Sequence, residues 1–491
     1  MHHRANVARC AVVSLVATLI ACADHPTAPL SRSFEVPGIA QRSASGVPTG
    51  RTVVVFRDTS AIPAAGLALL GSLGGTVTTN WNDIGVAIVS GLSTSAISTL
   101  ASSDLVAAVG NDRLLNWLPG LRVGGVVSQG PSLAGHKDPA AARYYADGTQ
   151  WSMRVIQADK AWAAGLQGKP TTRVAVLDTG IDYGHRELVG LVDMQASTSF
   201  ASIIVCEAGV CADVPYEPQQ PGDEPFMDNH FHGTHVASTI ASNSISVAPV
   251  APHVTLVAVK VLSASGSGSF EGVASGIRHA AGPANADVIN MSLGAEIDYN
   301  EEGAPALLEM MARVIKDAEK KGTIVISAAG NSAVNLDIGS LVATPCEQST
   351  VCVSATGPLM QQNFDHPSTY TNFGITAVEI AAPGGNASDT EEYVNADLII
   401  GACSRRATEP GLAPCRVSTE GVAYFYAYAA GTSMASPHVA GLAALIKSYD
   451  PLISVNGLRS KILHSADDIG VKGRDVYSNW GRINVARALG I

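Results

Sequence analysis

The chain has 491 residues, 46% apolar and 15% charged, with a formal net charge of −11 at pH 7. Apolar content this high excludes disorder throughout, which needs low hydrophobicity and high charge. The acidic balance argues against non-specific nucleic-acid binding, and no run of about 18 unbroken apolar residues after position 25 suggests a multispanning membrane protein.

At the N-terminus, His2, His3, Arg4 and Arg9 precede a short apolar run from Cys10 to Ala21. This is the layout of an export signal over residues 1–21. Two cleavage readings compete. Ala21-Cys22-Ala23 fits small-x-small cleavage after Ala23. Leu19-Ile20-Ala21-Cys22 resembles a bacterial lipobox, cut before Cys22 with lipid on its sulfur, and is the preferred reading. Either way the product is exported, secreted or periplasmic, and disulfides are permitted. Residues 22–50 are rich in Pro, Ser and Ala and read as a linker.

From residue 51 to 118 the pattern is compact. RTVVVFRD is a strand, AIPAAGLALLGSLG a helix, GTVTTNW and GVAIVSGL are strands, TSAISTLASS is a helix and LVAAVGND a last strand. The order βαββαβ is the split-βαβ pattern of a small α+β domain. Residues 119–150 turn Gly-rich and irregular, a second linker and the natural place for a cut. The unit 151–491 alternates short apolar runs (TRVAVLDTG, TLVAVKVL, ADVINMSLG, GTIVISAAGN, VCVSATG) with helical patterns. Continuous apolar runs of this length read as buried parallel strands. They predict an α/β domain, a mostly parallel sheet with helices on both faces, with function at the carboxyl ends of the strands.

Six cysteines follow Cys10 and Cys22, in three close pairs: Cys206/Cys211, Cys346/Cys352 and Cys403/Cys415. Of the 15 connectivities, local pairing is the simplest. Each loop closed this way adds about 2–3 kcal/mol, so these bonds staple loops rather than make the fold. The zinc reading is weak, because neither C-x2-C nor H-E-x-x-H occurs.

Three polar segments end or follow apolar runs: VAVLDTGID with Asp178, DNHFHGTHVAS with His232 and GTSMASPHVAG with Ser433. A nucleophilic serine needs an imidazole to take its proton and a carboxylate to hold the imidazole. Each residue alone has a plainer reading. Asp178 fits a turn or helix cap, Ser433 fits an N-cap, and His230, His232 and His235 fit a metal cluster. Together with Asn331 in SAAGN, catalysis is the better account. An α/β-hydrolase esterase is the alternative enzyme, but that fold runs Ser, acid, His. The order here is Asp178, His232, Ser433. An inactive binding scaffold is a third reading, which the filled catalytic positions disfavour.

From about Trp151 onward these motifs, in this order and spacing, resemble the subtilisin-like serine peptidases, or subtilases. The resemblance implies an exported endopeptidase with a subtilisin-like fold. Ser433 would be the nucleophile, His232 the general base and Asp178 its orienting carboxylate. The Asn331 amide and the Ser433 N–H would bind the oxyanion, and His235 would be structural. Ser265, Gly266, Ser267 and Gly268 would form one edge for an extended peptide and Ser292, Leu293 and Gly294 the other. Ala328, Ala329 and Gly330 would line the pocket before the cut bond, with a preference for medium or large apolar side chains. Catalysis would need no cofactor; a structural calcium is expected near Glu187 and Asn243. Residues 51–118 resemble the inhibitory propeptide, so the chain would be a self-processing zymogen, a monomer acting on proteins or peptides. Lipid on Cys22 would anchor it to a membrane only until the cut. Phe231 stands where Gly is frequent, Ser238 replaces a usual Gly, and a polar insertion, about Ala201 to Phe226, separates the Asp and His motifs.

Overall fold

Seven parallel strands form the centre of the large domain in this computed structural model, which describes residues 46–129, 138–207, 210–388, 392–408, 412, 415 and 424–491, and only the backbone of 206, 207 and 210–212. The export signal, Cys22 and most of the 22–50 linker lie outside the described residues. In spatial order the strands are Ile380–Pro383, Val351–Thr356, Ile324–Ala328, Val288–Met291, Arg173–Asp178, Thr255–Lys260 and Thr198–Ser199. Every pairing is parallel. The strands are apolar on both sides because both faces are covered. Val174, Val176, Leu256 and Ile326 share a core with the helices His232–Ile240 and Thr432–Tyr449. Ala175, Leu177, Val257 and Val325 share another with Phe270–Ala281 and Ala304–Lys320. The first long strand, Arg173–Asp178, is central, and the chain continues to both sides of it. Its carboxyl end is therefore the topological switch point where α/β sheets place their sites.

The small domain has the expected βαββαβ order: Val47–Phe56, Ala64–Ser72, Thr76–Trp81, Val86–Ser90, Thr94–Ala101 and Val106–Asn116. Its antiparallel sheet buries Val54, Phe56 and Val89 under its own helices. The other face, with Val53, Val55 and Ile88, joins the core around Phe270–Ala281 and Ala304–Lys320. The small domain is thus docked on two helices of the large one.

Residues 119–150 differ from the linker expected. Arg122–Gln129 is a strand, antiparallel to Tyr424–Ala430, which pairs with Ile399–Ala402. Its glycines mark close approach rather than freedom. A Cβ on Gly124 would lie 2.5 Å from Leu398 Cδ1, and one on Gly125 2.5 Å from Asn395 Nδ2. Further on, Tyr144 and Tyr145 are buried against Tyr426 and Trp162. The insertion is not a plain loop but carries a hairpin, Ser202–Glu207 with Val210–Pro215. Cys206 stands opposite Cys211 in its register; their side chains lie outside those described. The other two expected disulfides, Cys346–Cys352 and Cys403–Cys415, are formed. Among the described residues no helix is long and apolar enough to cross a membrane.

Candidate active site

Asp178 is the last residue of the central strand and is fully buried. Its Oδ1 accepts from Thr179 N at 2.7 Å and faces His232 Nδ1 at 2.8 Å. His232 is the first residue of its helix. The helix start sits tight on the strand end, because a Cβ at Gly233 would lie 2.0 Å from the Gly180 carbonyl oxygen.

What fixes this turn is Asp228, which the sequence reading missed. Its Oδ1 accepts from Thr179 Oγ1 (2.9 Å), His230 N (2.9 Å) and Phe231 N (3.1 Å). Its Oδ2 accepts from Thr234 N (3.0 Å) and Thr234 Oγ1 (2.6 Å). Burial pushes the Asp228 carboxyl up, opposed by the Lys260 ammonium and the hydrogen bonds. Lys260, also missed, is fully buried beside Asp178 in the sheet register and donates to the Thr179 carbonyl. Burial pulls its pKa down to about 8, against the pull of Asp228 and Asp178. The available signal was a lysine closing an otherwise apolar strand, TLVAVK.

Ser433 is the second residue of the helix Thr432–Tyr449, whose N-cap is Gly431, so the cap reading of Ser433 does not hold. Its Oγ donates to the Ser292 carbonyl at 3.0 Å, and Ser292 Oγ donates to the Ser433 carbonyl at 2.7 Å. His232 Nε2 is buried without a hydrogen-bond partner. The Ser433–His232 bond is therefore not made here; such bonds are often long or misaligned until substrate is bound. Asn331 follows the strand Ile324–Ala328. Its Oδ1 accepts from Thr432 N and Thr432 Oγ1, both at 2.9 Å, which turns its Nδ2 outward.

That Nδ2 donates to the Pro119 carbonyl at 3.1 Å. Residues 114–119 run between the two expected edges. The strand Ser267–Ser269 pairs antiparallel with Leu114–Asn116, and Trp117 N donates to Gly266 O at 3.0 Å. On the other side Gly294 N donates to Trp117 O at 2.9 Å. Trp117 is fully buried, its Nε1 donating to Gly268 O at 2.8 Å and its ring set edge-on to Phe270 at 4.9 Å. Ser265 lies in the turn before the edge strand, and Leu293 is buried. Ala328 and Ala329 are buried beside the cleft, and Gly330 N donates to Thr432 Oγ1 at 3.0 Å.

The three histidines do not converge on a metal. His235 Nε2 faces the Ile399 and Ala427 carbonyls, both at 3.1 Å, and burial pushes its pKa down to about 3. His230 stacks on Phe231 and is pushed down to about 3 by the same cause. Among the described residues no group of three His, Cys, Asp or Glu could hold a metal ion. The calcium expected at Glu187 and Asn243 also finds no cradle. Glu187 accepts from Ile245 N (3.0 Å), Ser246 N (2.7 Å) and Tyr426 Oη (2.8 Å). Two donors thus occupy Oε1 and one Oε2, with the Arg186 charge acting on the carboxylate. Asn243 directs its Nδ2 at the Arg186 and Val189 carbonyls.

The chain is similar to known proteins. Residues 169–481 match the model of the subtilase family. Subtilisin Savinase of Lederbergia lenta is 33% identical over 327 residues, covering 66% of this chain and 94% of its own. An alkaline protease of Alkalihalobacillus alcalophilus is 32% identical over 342 residues, 69% of this chain and 70% of its own. The epidermin leader peptide processing serine protease of Staphylococcus aureus superimposes with a TM-score of 0.64 at 20% identity, covering 90% of this chain and 98% of that one. That likeness reports the fold. The matched family segment and the level of identity to the subtilisins establish that this chain belongs to the subtilase family and is a subtilisin-like serine endopeptidase.

Proposed function

We propose that the chain is an exported zymogen whose Asp178-His232-Ser433 triad hydrolyses peptide bonds of proteins, and that its first substrate is its own Pro119–Gly120 bond. The observation that carries this is the Pro119 carbonyl, held at 3.1 Å by the Asn331 amide within a segment strung along both cleft edges. Ser433 Oγ attacks the Pro119 carbonyl carbon as His232 Nε2, the imidazole nitrogen left without a partner, takes its proton. Asp178 holds the other nitrogen and stabilises the imidazolium, the role the matching residue has in subtilisin. The Asn331 amide and Ser433 N–H stabilise the oxyanion. Collapse breaks the C–N bond, and His232 returns the proton to the Gly120 amine. A water then cleaves the acyl-enzyme by the same proton route. All groups in this sequence are side chains and backbone, so no cofactor is required.

Until it leaves, the cut small domain would inhibit by filling the cleft. Pro119 stands before the cut bond, in keeping with the small, uncharged Ala328, Ala329 and Gly330. If Cys22 carries lipid, the lipid stays with the propeptide, and the cut frees the catalytic domain from a membrane. Incubating purified proform and reading the new N-terminus by mass spectrometry tests the reading. Wild type should begin at Gly120, Ser433→Ala should stay uncut, and only wild type should label with a fluorophosphonate. Normal processing of Ser433→Ala in a host lacking other proteases would refute self-cleavage. Fractionating cells making wild type, Cys22→Ser and Ser433→Ala tests the anchor, and a soluble Ser433→Ala zymogen removes it.

A further inference from the structure

We propose that the matured enzyme carries a distal acidic subsite, built from Asp213, Glu271 and Ser269, that takes an arginine or lysine of the substrate six to eight residues upstream of the cut bond. The proposal rests on the peptidase reading above.

A guanidinium already occupies the site. Arg51 Nη1 lies 2.6 Å from Asp213 Oδ2. Its Nη2 lies 3.9 Å from Glu271 Oε2 and donates to Ser269 Oγ at 3.2 Å. These three partners belong to the large domain. The fourth, Asp112, belongs to the small one and receives Arg51 Nη2 at 2.9 Å and Nε at 3.2 Å. When the small domain departs, Arg51 and Asp112 depart together as a neutral pair. Asp213 then loses the one cation paired with it among the described residues. With the small domain seated, its side chain is 4% exposed and its Oδ1 has no hydrogen-bond partner. What remains is a seat shaped for a guanidinium, with two carboxylates that faced one cation and now attract a replacement.

The site lies on the line of the substrate. Ser269 is the last residue of the cleft edge strand, opposite Leu114, and Glu271 follows two residues later in the helix Phe270–Ala281. Counting back from Pro119, Leu114 is the sixth residue and Asp112 the eighth. Arg51 reaches the site from the neighbouring strand, in which Thr52 pairs with Asn111. A substrate that follows the edge past the place of Leu114 runs towards the same carboxylates. Asp213 comes from the hairpin of the insertion between the Asp and His motifs, so the insertion gives the subsite its main charge. Glu271 Oε1 is taken by Ser275 Oγ at 2.8 Å, leaving Oε2 for the cation. A guanidinium divides its nitrogens between two carboxylates better than an ammonium does, so arginine is favoured over lysine.

The test is kcat/KM of the matured enzyme on internally quenched peptides that differ only at the sixth, seventh or eighth upstream residue, as Arg, Lys or Ala. At low salt, Arg at one or more of these positions should raise kcat/KM about 5- to 10-fold over Ala, mainly through KM. The gain should shrink at high salt. Asp213→Asn should abolish it and leave cleavage of the Ala peptide unchanged. A wild-type Arg-to-Ala ratio within about twofold at all three positions overturns the subsite, as does a full gain kept by Asp213→Asn. Should Asp213→Asn fail to mature, Glu271→Gln and the wild-type series decide. Failure to cut any of the peptides would instead count against the peptidase reading.

Discussion

Replacing Asp228 by Asn keeps the shape of the side chain and changes what it can accept. The native carboxylate takes three donors on Oδ1 and two on Oδ2. An amide keeps one acceptor oxygen. Its NH2 group does least harm towards Thr234, whose hydroxyl can turn to accept, leaving Thr234 N–H orphaned. One buried orphan costs about 1–3 kcal/mol. The second term is Lys260, fully buried and relying on Asp228 and Asp178 for negative charge. Breaking a buried pair outright costs about 3–5 kcal/mol. Lys260 can limit this loss by giving up its proton, since burial has already brought its pKa to about 8. A total of about 3–5 kcal/mol follows, or a fall in Tm of about 3–7 °C for a unit of this size. The assay is calorimetry in a Ser433→Ala background, where self-digestion cannot interfere. The sign with pH is a second check. A buried lysine with a depressed pKa binds fewer protons than the unfolded chain, so its burial cost is relieved as pH rises from about 8 towards 10.5. The gap between parent and variant should therefore narrow above about pH 8, as Lys260 becomes neutral in both, towards the about 1–3 kcal/mol of the orphaned N–H. A Tm change under about 2 °C at pH 7, or a gap that stays constant to about pH 10, would refute the reasoning.

Trp117→Ala removes a fully buried indole and its bond to Gly268 O at the junction of the two domains. Such truncations cost about 3–5 kcal/mol, so the cut small domain should dissociate at least about 100-fold faster, read as the rate at which activity appears; an unchanged rate sinks this account of inhibition. Acid should destabilise the fold through four buried histidines. His185 and His438 are pushed by burial to about 4, and His230 and His235 to about 3. In the unfolded chain each binds a proton below about pH 6.5. Their neutral burial is thus fully tolerated above that pH, and stability is lost as pH falls from about 6.5 towards 3–4. Each contributes on the order of 3 kcal/mol at the bottom of the window. A Tm that is flat between about pH 7 and 4.5 would exclude this cause.

Much of this molecule was legible in order along the chain. Continuous apolar runs ending in Asp178, Met291 and Ala328 specify buried parallel strands, because a strand covered on both faces can carry little polar alternation. The motifs around Asp178, His232 and Ser433 are local, since each side chain stands at a strand end or a helix start that its own segment specifies. The small domain was also readable, because six short elements in βαββαβ order suffice for its sheet. Other features depend on parts of the chain far apart in sequence. Asp228 and Lys260 look like a loop acid and a stray strand charge until five donors and a shared burial give them their positions. Glycines 124 and 125 read as freedom until Asn395 and Leu398 arrive beside them. Glu187 and Asn243 suggested a cation site by position, but the loop folded N–H groups onto the carboxylate. The line from Leu114 to Pro119, and the seat of Arg51 against Asp213, exist only once the small domain is docked. Hydrophobic periodicity is a property of neighbours in sequence, whereas a hydrogen-bond or ion-pair partner is chosen by packing, which the whole tertiary structure decides.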